Sequence, residues 1–192
     1  MPGSYSMIDT LREFVEKAGE LSVEYMVTGS FAMSAYGEIR STRDIDIVIQ
    51  LPEKQASSFV ASFGGTYYIS EDSVRRAIAS RSMFNIIKQP YGEKIDCIIQ
   101  KDSDFARVSF DRRRLAKVSD IEFWTTTKED LIIAKLDWAH DSGSEMQIRD
   151  IANLTSNEYD SEYVDAWILR LNLSDIWKQV EQWKIRRDTS ES

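Results

Sequence analysis

Histidine and cysteine are almost missing from this chain: His140 and Cys97 each stand alone. A single thiol cannot close an internal disulfide, which fits a reducing compartment, and the expected localisation is cytoplasmic. With one imidazole and one thiol, most zinc cages and the Ser-His or Cys-His nucleophile pairs lack ligands or bases. A resident metal should then be a hard cation on carboxylate oxygens, magnesium or manganese. Long apolar runs are also missing. Residues 45–49 and 131–136, among the most apolar stretches, fall far short of the roughly 20 residues that a membrane span needs. The N-terminus has no basic start followed by an apolar segment, so neither a secretory signal nor a membrane partner is expected. Positive charge is in deficit. The net charge of −8 argues against broad binding to a phosphate backbone, although Arg75, Arg76 and Arg81, and then Arg112, Arg113, Arg114 and Lys117, form local basic clusters.

What is present suits a globular chain. Of 192 residues, 42% are hydrophobic and 29% charged, enough to build a core under a charged surface. Leu11, Phe14, Val15 and Ala18 recur at helical spacing. Residues 24–28 read as a strand, 30–36 as a helix opening directly after it, and 44–50 as a second strand. A helix over 54–63 follows Pro52, and Gly64-Gly65 breaks it before a strand at 66–70. The runs 83–89 and 94–100 read as a hairpin around Pro90-Tyr91-Gly92-Glu93. A helix near 103–110 and strands near 115–118 and 122–125 complete this part. No proline follows Pro90, and the pattern is helical from Thr127 onward: 131–139, 145–155, 161–171 and 174–187. Thr127 with Asp130 three residues on resembles a capping arrangement. The expected organisation is a mixed α/β core over 1–126, a helical region over 127–187 and a disordered polar tail over 188–192.

The chemistry concentrates in two segments. In the first, a strand ends at Gly29-Ser30 and a helix begins. Such a junction turns free backbone N–H groups and the positive helix end toward one spot, which suits a phosphate. Serine is also a common N-cap, so this signal alone is weak. In the second segment, Asp44 and Asp46 alternate with Ile45, Ile47 and Ile49. Residues two apart on a strand share a face, so both carboxylates project to one side and the isoleucines to the other. Two such carboxylates repel unless a cation lies between them. Asp96 repeats the logic between Ile95 and Cys97. If these strands pair, three carboxylates converge on one rim, a layout able to hold two magnesium ions against a triphosphate. The plain alternative is an edge strand that carries charge against aggregation.

Gly29-Ser30, then thirteen residues, then Asp44-x-Asp46 with the later Asp96, resembles the DNA polymerase β-like nucleotidyltransferase superfamily. The resemblance spans residues 26–99. It implies an α+β, nucleotidyltransferase-like mixed β-sheet core flanked by helices, followed by a C-terminal helical region. It also implies a magnesium-dependent enzyme moving a nucleoside monophosphate from a triphosphate, ATP included, to an acceptor hydroxyl. Asp44, Asp46 and Asp96 would be the catalytic and metal-holding residues, for two Mg2+ ions with Mn2+ as substitute. Gly29, Ser30 and Arg43 would bind the nucleotide. The helical segments 126–136 and 147–154 look like those of AbiEii-type toxin nucleotidyltransferases and related uncharacterised families. By that likeness Lys135 and Asp150 would lie beside the nucleotide, while a salt bridge between them is the structural alternative. Asn153 departs from the pattern, which often has a second aspartate there. The implied partners are a nucleoside triphosphate, an acceptor that is a tRNA, a protein or a small molecule such as an aminoglycoside or lincosamide, and, for a toxin, an antitoxin protein. A catalytically silent module of the same fold and a plain helical interaction protein are the competing readings.

Cys97 alternates with Asp96 and should point into the core. His140 suits a helix end. Trp167, Trp177 and Trp183 suit helix packing. Arg81, ahead of a core strand, is a weaker candidate for reaching a γ-phosphate.

Overall fold

The computed structural model describes residues 7–38, 42 and 44–190. The chain divides into two compact units, one made of the residues up to Thr126 apart from Tyr36–Glu38, the other of Tyr36–Glu38 and the residues from Thr127.

The first unit is built on a seven-stranded mixed sheet. Its strands are β1 (Glu24–Thr28), β2 (Asp44–Gln50), β3 (Tyr67–Tyr68), β4 (Met83–Lys88), β5 (Glu93–Ile99), β6 (Arg114–Val118) and β7 (Ile121–Thr125), in the order β3-β4-β5-β2-β1-β7-β6. β2 lies parallel to β5 and β1 parallel to β7, while the other neighbours are antiparallel. The period-2 alternation of β2 and β5 gives the sheet an apolar face. Phe84, Cys97, Ile47 and Val27 form one continuous row across β4, β5, β2 and β1, and all four are buried. Helix α1 (Met7–Glu20) brings Leu11, Phe14 and Ala18 to the core. Phe14 meets the edge of Tyr25 at 5.6 Å, and Phe59 from α3 (Ala56–Ser62) meets Phe84 at 6.0 Å. Aromatic edge-to-face contacts of this kind lock the layer to the sheet beyond their buried area.

An ion pair with a buried lysine ties α1 to the sheet. Lys88, 3% exposed, donates to Glu13 at 2.8 Å, and Tyr67 donates to the same carboxylate at 2.6 Å.

Some elements differ from the sequence reading. The helix expected over 30–36 is a single α turn, α2 (Gly29–Ala32), that tightens into a 3-10 turn at Met33–Tyr36. The strand expected over 66–70 keeps only the two residues of β3, because the chain enters an unforeseen helix, α4 (Glu71–Ser80). Ser70 caps α4 by accepting from the Ser73 N–H, and only Val74 and Ala77 are fully buried. Few apolar positions and three arginines nearby hid its periodicity. Helix α5 (Asp104–Asp111) starts from the Ser103 cap, close to where the spacing placed it.

The second unit is helical: α6 (Lys128–Ser142), α7 (Glu145–Leu154), α8 (Ser161–Arg170) and α9 (Ser174–Ser190). Thr127 caps α6 as its sequence spacing suggests, accepting from the Asp130 N–H and donating to the Asp130 carboxylate at 2.6 Å. α6 ends on Gly143, whose φ of +67° makes the left-handed C-terminal turn. α9 continues past Arg187, so the polar tail expected from residue 188 is helical as far as Ser190. Among the described residues no helix is long and apolar enough to cross a membrane.

Candidate active site

The face of the sheet opposite the apolar row carries polar side chains in the same register. Parallel pairing sets Asp46 of β2 beside Asp96 of β5, and Asp44 beside Lys94. The two carboxylate strands are therefore neighbours, the geometry that the sequence reading required. The row extends outward on both sides, with Asn85 of β4 opposite Asp96 and Thr28 of β1 opposite Asp46. Ile45, Ile47 and Ile49 on the reverse face are wholly buried, which fixes the register, since a one-residue slip would drive the aspartates into the core.

Gly29 ends β1 against this row. Its φ is +64°, and a Cβ built there would lie 1.9 Å from Asp46 Oδ2. Only glycine lets the Asp46 carboxylate rest against the strand-to-helix turn. Ser30 follows in α2 and is half-buried. One α turn carries a much smaller dipole than the helix expected there, so any phosphate binding at this junction would rely on the turn's N–H groups and the Ser30 hydroxyl. Arg43 lies outside the described residues.

Each of two carboxylates has one oxygen committed to a neutral donor. Thr42 Oγ1 donates to Asp44 Oδ1 at 2.8 Å, and Asn85 Nδ2 donates to Asp96 Oδ1. Their other oxygens meet Lys94, whose Nζ is 2.8 Å from Asp96 Oδ2 and 3.7 Å from Asp44 Oδ2. The hydrogen bond to Asp96 raises the Lys94 pKa most; burial works against it, and the charges of Asp96, Asp44 and Asp46 add to the rise. Among the described residues, no three carboxylates, imidazoles or thiols close on one point as a metal cage. The convergence expected of Asp44, Asp46 and Asp96 is instead a row with an ammonium between two of its members. Its chemistry still suits a hard cation. The donors are oxygens alone, Asp46 is cradled by a bare Cα, and an internal cation already occupies the negative field.

Lys94 and Asn85 were not singled out from sequence, yet both left a signal. Lys94 stands two residues before Asp96, hence on its face of β5. Asn85 interrupts the apolar Phe84 and Ile86 on the opposite side of β4. Cys97 points into the core, where burial, and then the neighbouring Asp96 charge, push its thiol well above the ordinary range.

Several members of the basic clusters have local partners. Arg75 pairs with Glu53 at 2.5 Å and Glu71 at 2.7 Å, while Arg81 donates to the Gln100 carbonyl at 3.0 Å. Arg113 stacks 4.3 Å above Phe110 and pairs with Glu24 at 2.8 Å. In the second unit, Lys135 Nζ donates to Asp150 Oδ2 at 2.9 Å and to Gln147 Oε1 at 3.0 Å, with both charged side chains 2% exposed. His140 is exposed in the last turn of α6.

No family model matches this chain, and no curated protein matches it. Solved structures do match its fold. The crystal structure of ANT(2")-Ia in complex with adenylyl-2"-tobramycin superposes with a TM-score of 0.59 at 12% identity, over 91% of this chain and 99% of that one. LnuA, a lincosamide antibiotic adenylyltransferase with lincomycin bound, gives 0.52 at 16% identity, over 80% of this chain and 99% of the other. An antigenic nucleotidyltransferase-like protein from Paracoccidioides brasiliensis gives 0.54 at 16% identity, over 88% and 91%. At such identities the likeness is one of fold: a mixed sheet flanked by helices and followed by a helical region, as in nucleotidyltransferases.

Proposed function

We propose that this chain is a nucleotidyltransferase that moves a nucleoside monophosphate, adenylate first among candidates, to a hydroxyl of a small-molecule acceptor. The observation that carries the reading is the side-by-side register of Asp46 and Asp96, with the bare Cα of Gly29 against the Asp46 carboxylate. A plain charged edge strand does not account for this arrangement. β2 lies inside the sheet, paired on both sides, so its aspartates have no exposed edge to protect.

In this reading Asp44, Asp46 and Asp96 would hold magnesium, and Gly29, Ser30 and Arg43 would receive the triphosphate. Bound there, magnesium would neutralise triphosphate charge and lower the pKa of the acceptor hydroxyl. The protein's own work is positioning and proton handling. The acceptor oxygen attacks the α-phosphorus, the bond from that phosphorus to the bridging oxygen of the β-phosphate breaks, and pyrophosphate leaves with the electron pair. The hydroxyl proton passes to a carboxylate, for which Asp96 is the candidate. Asn85 holds one of its oxygens, which restricts the orientation in which it meets the acceptor.

A small cationic acceptor is favoured over a long RNA. The chain's net charge of −8 repels a polyanion and attracts an amine-bearing molecule. Two structures of similar fold are those of antibiotic-modifying enzymes. Lys135 and Asp150 serve, on this reading, as a buried ion pair joining α6 to α7, since each satisfies the other away from solvent.

The test is incubation with each labelled nucleoside triphosphate, ATP first, and magnesium in the presence, separately, of aminoglycosides, lincosamides, total RNA and protein extract. The reading expects a labelled small molecule together with released pyrophosphate. Label on RNA or protein would replace the acceptor class and support a toxin-like role. No labelled product with any nucleoside triphosphate would favour a silent module.

A further inference from the structure

Among the described residues, Lys94 is the cation that the ion pairs place among the aspartates of the candidate site. Thr42 and Asn85 hold the outer oxygens of Asp44 and Asp96, and the two remaining oxygens both face the Lys94 ammonium. That ammonium stands where a divalent cation shared by the two carboxylates would have its charge. It is not buried in place: the Lys94 side chain is 37% exposed, at the end of a flexible four-carbon stem.

We propose that Lys94 is an internal counter-cation that competes with the divalent metal for Asp44 and Asp96, and gives way when the metal arrives with the triphosphate. The inference rests on the nucleotidyltransferase reading and adds a regulation to it. With no nucleotide, the tethered ammonium satisfies the carboxylates, and a metal must displace it against no compensating contact. With a triphosphate present, the displaced ammonium gains phosphate oxygens as new partners. Metal and nucleotide then bind with positive coupling, and because linkage is reciprocal, each tightens the other by the same factor. The arrangement would also keep the site closed to stray divalent cations until a substrate is at hand.

The experiment measures Mn2+ binding by the loss of the free-ion electron paramagnetic resonance signal, with and without the non-hydrolysable analogue α,β-methylene-ATP. It uses the whole chain as wild type, Lys94→Met, Lys94→Gln and Lys94→Arg. Without nucleotide, both neutral variants should bind Mn2+ about tenfold tighter than wild type or better, because one positive charge a few ångströms from the metal has gone. Lys94→Arg keeps the charge and should keep the weak affinity. The factor by which the analogue tightens Mn2+ should shrink in the neutral variants. A second readout is thermal unfolding. In EDTA the neutral variants should melt below wild type, and saturating Mn2+ should raise them by more than it raises wild type. Neutral variants whose nucleotide-free Mn2+ affinity equals or falls below that of wild type would overturn the counter-cation role, while wild type still binding Mn2+ with the analogue would leave the nucleotidyltransferase reading standing. Failure of wild type to bind Mn2+ even with the analogue would sink the functional reading itself.

Discussion

Gly29 is the residue with least freedom to change. Its positive φ would cost another residue about 1–3 kcal/mol of backbone strain. A methyl group there would also run into Asp46 Oδ2. Gly29→Ala should therefore lower stability by at least that amount in urea denaturation, and weaken nucleotide binding by about tenfold or more as the carboxylate is pushed from its row. An unchanged nucleotide affinity would separate Gly29 from the site. Tyr25 offers a test with a defined pH window. Burial raises its pKa, and the Trp124 N–H that donates to its hydroxyl opposes the rise only in part. Below the ordinary tyrosine value of about 10 the phenol is neutral in folded and unfolded chains alike, so stability is intact. Above it the unfolded chain ionises first, and stability falls as pH rises toward the folded value. Burial also raises the Tyr159 pKa, so spectrophotometric titration near 295 nm should show a late-ionising tyrosine fraction that Tyr25→Phe reduces without abolishing, and the variant should lose less stability above about pH 10.

Among the elements, those with a strong apolar pattern were legible and those with few buried positions were not. β1 and β2 occupy the residues that the sequence assigned: β2 alternates because one face is buried, while β1 buries Tyr25, Met26 and Val27 in succession. α4 escaped because its buried face amounts to Val74 and Ala77. The partners of the aspartates escaped for another reason. Lys94 meets Asp44 through the register of β2 and β5, which a long crossover separates, and Asn85 meets Asp96 through a hairpin register that the alternation alone did not fix. The ion pair between α6 and α7 gives this scale its prediction. With both side chains 2% exposed, Asp150→Asn would strand the Lys135 charge and should cost about 3–5 kcal/mol in urea unfolding. Replacing both, as Lys135→Met with Asp150→Leu, should recover most of that loss. A variant Asp150→Asn that keeps its stability and loses nucleotide affinity would point instead to the nucleotide-contacting role implied by the sequence likeness.

At the scale of the molecule, the distribution of chemistry is uneven. The sheet unit holds the polar row on one face and an aromatic-aliphatic layer on the other, whereas the helical unit pairs its buried Lys135 with its own Asp150. An acidic chain with a carboxylate row inside its sheet favours cations, and on the proposed function a nucleotide would enter such a field with a metal to carry its charge. On the proposed function, triphosphate binding would depend on magnesium, and that dependence would run through Asp44 and Asp46. The direct measurement is calorimetric titration of α,β-methylene-ATP into wild type and into Asp44→Asn with Asp46→Asn, each with magnesium and with EDTA. Wild type should bind with magnesium and not with EDTA, and the double variant, folded by circular dichroism, should bind in neither. Equal binding by the folded double variant, or binding by wild type that ignores magnesium, would contradict the account.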